Sequence, residues 1–174
     1  LDRYGCPERV GFSKEHLFET PKKAEYFSKT KNKLVLTNKT ALEAMQKKAE
    51  SLGLVARVCG SCLVGEAREV GMQIVKELRT EAAGTVLLYG GETTVTIRGQ
   101  GTGGRNQEMA MGALRSIQDG EVFIALASDG RDNSAHSGAI VDNLTLEKIK
   151  QNKLDLEAYL ADNNSFGFFQ DIGD

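Results

Sequence analysis

The stretch "TVLLYGGETTVTIRGQGTGGRNQE", Thr85–Glu108, decides the fold. It holds two strand-like runs, "TVLLY" and "TTVTIR", parted only by Gly90, Gly91 and Glu92. A crossover helix cannot fit into so short a gap, so the pair is expected to form an antiparallel hairpin. In the second run Val95 and Ile97 share one face while Thr94, Thr96 and Arg98 take the other. The glycine run that follows spells G-x-G-x-x-G at Gly99, Gly101 and Gly104. A dinucleotide loop would follow a strand buried on both faces, open a βαβ unit and find an acid about 20 residues on. Asp129 stands near that place, but an alternating strand is the wrong one to feed such a loop. A more general reading survives. The glycines lead into a helix, "RNQEMAMGALRSI", whose first turn carries Arg105, Asn106 and Glu108. Free N–H groups at a helix start attract phosphate or carboxylate, and the arginine fork suits either anion.

Working upstream, "KLVLT" from Lys33 reads as a buried strand. Thr40 with Glu43 reads as a capping box for a helix that turns Leu42, Met45, Ala49 and Leu52 to one side. "LVARV" from Leu54 is the next strand. A second helix follows, with Leu63, Ala67, Val70, Ile74 and Leu78 inward and Glu66, Arg68, Glu69 and Lys76 toward water. Residues 1–32 show no lasting period and read as a lead segment or linker from a preceding domain, which leaves 33–174 as the α/β domain. Downstream, "EVFIALASDG" fits a buried parallel strand. Its carboxyl end, where α/β sheets bind ligands, presents Asp129 and Asp132. Carboxylates there suit Mg²⁺. The fold class is therefore α/β: a mixed sheet with flanking helices that includes an antiparallel hairpin.

Composition narrows the function. A net charge of -2 over 174 residues, with no block rich in Lys and Arg, excludes a nucleic-acid partner. No apolar run approaches a bilayer span and the N-terminus lacks an apolar signal core, so a cytoplasmic protein with no membrane partner is expected. Cys59-Gly-Ser-Cys62 has redox spacing, but no proline lies downstream of it. Of the other candidate zinc ligands only Cys6, His16 and His136 remain. Both thiols are read as incidental. No Gly-Lys pair occurs, so Walker A is absent, as are the H-R-D and D-F-G signatures of protein kinases.

Taken together, "GGETTVTIRGQGTGGRNQEMAM", "ASDGRDNSAHSGAIVD" and "NNSFGFFQDIGD" resemble the glycerate 2-kinase or MOFRL family, and the likeness extends upstream to "ETPKK", "TNKTALEA" and "GEAREVG". The resemblance implies ATP- and Mg²⁺-dependent phosphorylation of D-glycerate in a cleft between two α/β domains. This chain would supply one of them, lacking the N-terminal domain with its active-site lysine and the T-G-P-T-G-T-N segment expected after the last residue. On that basis Arg105 would hold the transferring phosphoryl group or the glycerate carboxylate. Asp129 and Asp132 would hold Mg²⁺ or orient the hydroxyl. Gly103, Gly104, Asn106 and Glu108 would line the anion, with Asn38, Gly91, Glu92 and Thr93 along the same rim. The loop "NSAHSGA" is one residue shorter than the family's usual run, and its His136 reads as a polar loop residue. Some members are labelled hydroxypyruvate reductases, so an NAD(P)-dependent reductase is the alternative enzyme and a non-catalytic ligand-binding module the alternative class. Expected partners are D-glycerate and the N-terminal domain; a homo-oligomer is left open.

Overall fold

The computed structural model describes Gly11, Glu15 and residues 18–173. Cys6, His16 and the first part of the expected lead segment lie outside the described residues. The chain divides into two units between Val35 and Leu36. In the first, the described residues include a 3₁₀ turn, Ala24–Phe27, with no buried side chain.

The second unit runs α1 (Asn38–Ser51), β1 (Val55–Leu63), α2 (Ala67–Leu78), β2 (Thr85–Gly91), α3 (Arg105–Leu114), β3 (Phe123–Leu126), β4 (Gly138–Val141), α4 (Asn143–Asn152), α5 (Leu156–Ala161) and α6 (Ser165–Ile172). β1 and β2 pair in parallel, and β3 and β4 pair antiparallel. α1 packs on the parallel pair through Leu42 against Ala56 and Leu88. The larger core centres on α3, where every residue from Gln107 to Leu114 is buried. β3 and β4 lie against α3, and so does α2. The two helices meet backbone to backbone. A Cβ on Gly71 would come within 2.0 Å of the Met109 carbonyl oxygen, and one on Gly112 within 2.0 Å of the Arg68 carbonyl oxygen. Phe168, Leu160 and Ile172 from the last helices close this core. Among the described residues no helix is long and apolar enough to cross a membrane.

A mixed α/β arrangement with an antiparallel pair is present, but several expected elements sit elsewhere. No hairpin forms at Gly90-Gly91-Glu92. The chain runs straight on beyond β2, and its next residues bond alongside the end of β1: Glu92 N donates to Leu63 O (2.8 Å), and Thr94 N to Gly65 O (2.8 Å). Thr94 pairs in parallel with Glu66, whose carboxylate takes both the N–H and the hydroxyl of Thr96. Gly91, at φ 155°, permits this continuation, since a Cβ there would meet the Leu63 backbone nitrogen at 2.2 Å. The antiparallel hairpin is β3–β4 instead. "FIAL" is therefore not a parallel strand buried on both faces: Phe123 and Ala125 are buried while Ile124 and Leu126 are exposed.

"KLVLT" forms no strand. Leu34, Val35 and Leu36 are all exposed, and among the described residues no strand pairs with them. The cap of α1 is Thr37 rather than Thr40; the Thr37 hydroxyl accepts from Thr40 N at 3.2 Å. β1 is longer than expected and takes in the CxxC, with both thiols free. A register irregularity at Gly60 separates the two cysteines from the regular part of the pairing.

Candidate functional site

The helix start at Gly104–Glu108 was expected to receive an external anion. It already holds an internal one. Asp132, nearly fully buried, accepts from Asn106 N (3.1 Å), Asn106 Nδ2 (3.0 Å) and Gln107 N (2.7 Å). A carboxylate in this position satisfies orphan donors and meets the positive end of the helix dipole. Both its oxygens are thereby engaged, and Asp132 caps the helix from a distance in sequence. Asp129 is exposed and closes a local turn on Arg131 N at 3.2 Å. It does not line the cleft described below. Among the described residues no three His, Cys, Asp or Glu side chains converge on a point.

The glycine run is explained by the chain's own close packing. Residues 98–103 lie against the segment 162–166. Asn163 Oδ1 accepts from Arg98 N (2.6 Å) and Gly99 N (3.1 Å), Asp162 Oδ1 accepts from Gln100 N (2.8 Å), and Asp162 O accepts from Gly101 N (2.9 Å). A Cβ on Gly99 would fall 2.3 Å from the Asp162 backbone, one on Gly101 2.3 Å from Asn164 Cβ, and one on Gly104 2.2 Å from Asp132 O. Glycine is required there because protein approaches, not because a pyrophosphate does. Gly101→Ala is accordingly expected to destabilise the fold by about 1–3 kcal/mol, as overpacking does. The loss should appear in urea denaturation with no nucleotide present. A variant as stable as the parent would return the glycines to a ligand-binding role.

Anchored in this way, the run lines a cleft of about 710 Å³ together with Glu92, Thr93, Arg105, Arg131, Asp132 and Asn133. Asn133, at φ 54°, ties the acidic loop to the run by donating from Nδ2 to Gly103 O at 2.9 Å. Arg105 is half-exposed, and its Nη1 lies 3.1 Å from Glu92 Oε1. Thr93 is only 3% exposed, and its hydroxyl oxygen has no hydrogen-bond partner. An orphaned buried hydroxyl beside a cleft is costly unless something else completes it. The cleft thus offers guanidinium and hydroxyl donors to an oxyanion, with backbone carried close by the glycines.

Of the expected site residues, Glu92, Thr93, Gly103, Gly104 and Arg105 come together here. Glu108 borders the same cleft, but its carboxylate is spent: Arg68 Nε and Nη2 donate to Oε1 at 2.8 and 2.7 Å, and Asn163 Nδ2 donates to Oε2 at 3.1 Å. Asn106 is committed to Asp132. Asn38 stands apart, at the start of α1 over the ends of β1 and β2, donating to Ser61 O at 2.8 Å and covering Gly90. Gly91 is a backbone requirement of β2. His136 is an exposed loop residue whose ring rests 5.7 Å from that of Phe166. The sequence reading missed Asn163, Asn133 and Arg131; the first two are asparagines in the left-handed region, a conformation the residue type alone does not announce.

The MOFRL family profile matches residues 85–174. The chain is 38% identical over 152 residues to a glycerate 2-kinase of Pyrococcus horikoshii, an alignment covering 82% of this chain and 34% of that protein. It is 30% identical over 183 residues to a D-glycerate 2-kinase of Thermotoga maritima, covering 99% of this chain and 43% of the relative. The crystal structure of a Thermotoga maritima glycerate kinase superposes with a TM-score of 0.79 at 29% identity, over 99% of this chain and 45% of that one. The chain thus spans between a third and a half of the length of these relatives.

Proposed function

The chain belongs to the MOFRL family, and from that premise we propose that it carries part of the active site of a glycerate kinase. The enzyme would transfer a phosphoryl group from ATP to D-glycerate to give phosphoglycerate. The observation that carries this reading is the cleft itself, where Arg105 and the unpartnered Thr93 hydroxyl stand at the edge of the anchored glycine run. Phosphoryl transfer needs positioning and charge neutralisation more than covalent help from the protein. The fork of Arg105 would leave Glu92 and take two oxygens of the transferring group or of the glycerate carboxylate. The Thr93 hydroxyl would donate to a neighbouring oxygen. Gly103 and Gly104, packed on Ser165 and Asp132, would present their backbone as part of the cleft wall.

Mg²⁺ normally accompanies nucleotide phosphates, using one or two carboxylates and water. The described residues do not form such a site by themselves, because no three of their His, Cys, Asp or Glu side chains converge and Asp129 lies outside the cleft lining. ATP, Mg²⁺, a cytoplasmic location, the N-terminal domain as a partner and a homo-oligomeric state all belong to the proposal. Packing of Gly99, Gly101 and Gly104 against protein disfavours the reductase reading.

The test is ADP release coupled to D-glycerate. The 174-residue chain alone is expected to show no turnover, whereas a longer polypeptide that includes it should phosphorylate D-glycerate and should not oxidise NADH or NADPH with hydroxypyruvate. Cofactor oxidation without ADP release would overturn the proposal.

A further inference from the structure

We infer that Arg131, which nothing above assigns to substrate, is the cleft's available cation and the residue that first holds the entering oxyanion. The inference rests on the kinase reading of the cleft and adds a specificity-determining residue to it. Charged side chains around the cleft are Glu92, Arg105, Glu108, Arg131 and Asp132. Glu108 is neutralised by Arg68, and Asp132 is absorbed by the N-terminus of α3. Glu92 and Arg105 pair with each other. Arg131 is exposed, and among the described residues no carboxylate lies within ion-pair distance of its guanidinium. The Arg131 guanidinium is therefore the cation of the cleft lining that no carboxylate among the described residues pairs with.

The backbone that carries this residue is held from both sides. The Arg131 backbone N–H is bonded to Asp129 Oδ1, and the next residue, Asp132, is fastened by the N–H groups of Asn106 and Gln107. Asn133 then secures the loop to Gly103. The backbone from which the guanidinium springs is thus fixed, although the residue sits in a surface loop. A fork in this position suits two oxygens of a phosphoryl group or a carboxylate. Glu92 is its counterpart: by occupying Arg105, it leaves Arg131 as the group that an anion meets without displacing a partner. The orphaned Thr93 hydroxyl is a second, independent sign that the cleft is completed by a polar ligand.

Calorimetric titration of the 174-residue chain with inorganic pyrophosphate and, separately, with D-glycerate tests this. Arg131→Gln is expected to weaken binding about tenfold or more, the loss of one charge-assisted contact, and to flatten its dependence on salt. Arg131→Lys should restore the salt dependence but only part of the affinity. Glu92→Gln should tighten binding by up to about fivefold, the upper range for an exposed ion pair. The probe weakened more identifies the oxyanion that Arg131 meets. Unchanged affinity in Arg131→Gln, with binding lost in Arg105→Gln, would overturn the role of Arg131 and leave the site intact. Failure of the parent chain to bind either anion, or equal affinity in all variants, would overturn both.

Discussion

Arg105→Lys, in an enzyme that phosphorylates D-glycerate, is expected to lower kcat about 10²- to 10³-fold, the usual cost of losing a preorganised donor to transition-state charge. The charge survives this substitution; the geometry does not. Arg105 opens α3 on a backbone fixed by Asp132 and by the glycine run, so its planar fork starts from a set position and has only to leave Glu92. An ammonium at the end of a flexible stem cannot present two parallel donors. Because the contact strengthens as phosphoryl charge spreads, the loss should fall on kcat more than on KM. A surface arginine that merely pairs with Glu92 would change either constant little, since exposed pairs contribute at most about 1 kcal/mol. Steady-state kinetics with ATP and D-glycerate separates the two outcomes by orders of magnitude.

The second large effect is on stability. Glu108→Ala is expected to destabilise the fold by about 3 kcal/mol, the lower end of what breaking a buried ion pair costs. Arg68 is left facing a cavity, its side chain only 14% exposed. Asn163 also loses the acceptor for one of its amide hydrogens, loosening the residue that fastens Arg98 and Gly99. Glu108→Gln keeps an acceptor for one of the two neighbours and turns an N–H₂ toward the other's donor, but it leaves no cavity and should lose less. Urea denaturation followed by circular dichroism reads the difference. If Glu108→Ala were as stable as the parent yet bound D-glycerate poorly, Glu108 would be a ligand contact as the sequence suggested, and the structural role would be wrong.

Much of the site was legible because its residues lie close together in sequence. Glu92 and Thr93 follow a strand, and Arg105 follows the glycines; local chemistry suffices to nominate them. The α2 helix was legible from its apolar spacing, and α3 from its place after the glycine run. What was not legible depends on contacts distant in sequence. Nothing in "SDGRDN" says that Asp132 will cap a helix that starts at Arg105, and an acid beyond a strand end reads equally well as a metal ligand. Nothing in "RGQGTGG" reveals that Asp162, Asn163 and Asn164 press against it, so glycines placed for internal packing spell a nucleotide motif. The misplaced hairpin has the same origin. Gly-Gly between strand-like runs signals a turn locally, whereas the end of β1 supplies hydrogen bonds that carry the chain straight on. "KLVLT" has strand composition but no neighbour among the described residues to make it one.

Amide chemical-shift mapping of the 174-residue chain, titrated with D-glycerate and with a non-hydrolysable ATP analogue, tests most directly whether this cleft is the working site. The expected result is that the amides of Glu92, Thr93, Gly103, Gly104, Arg105 and Arg131 shift together and saturably. Shifts confined to the loop around His136 and Phe166, with those six unmoved, would contradict the account.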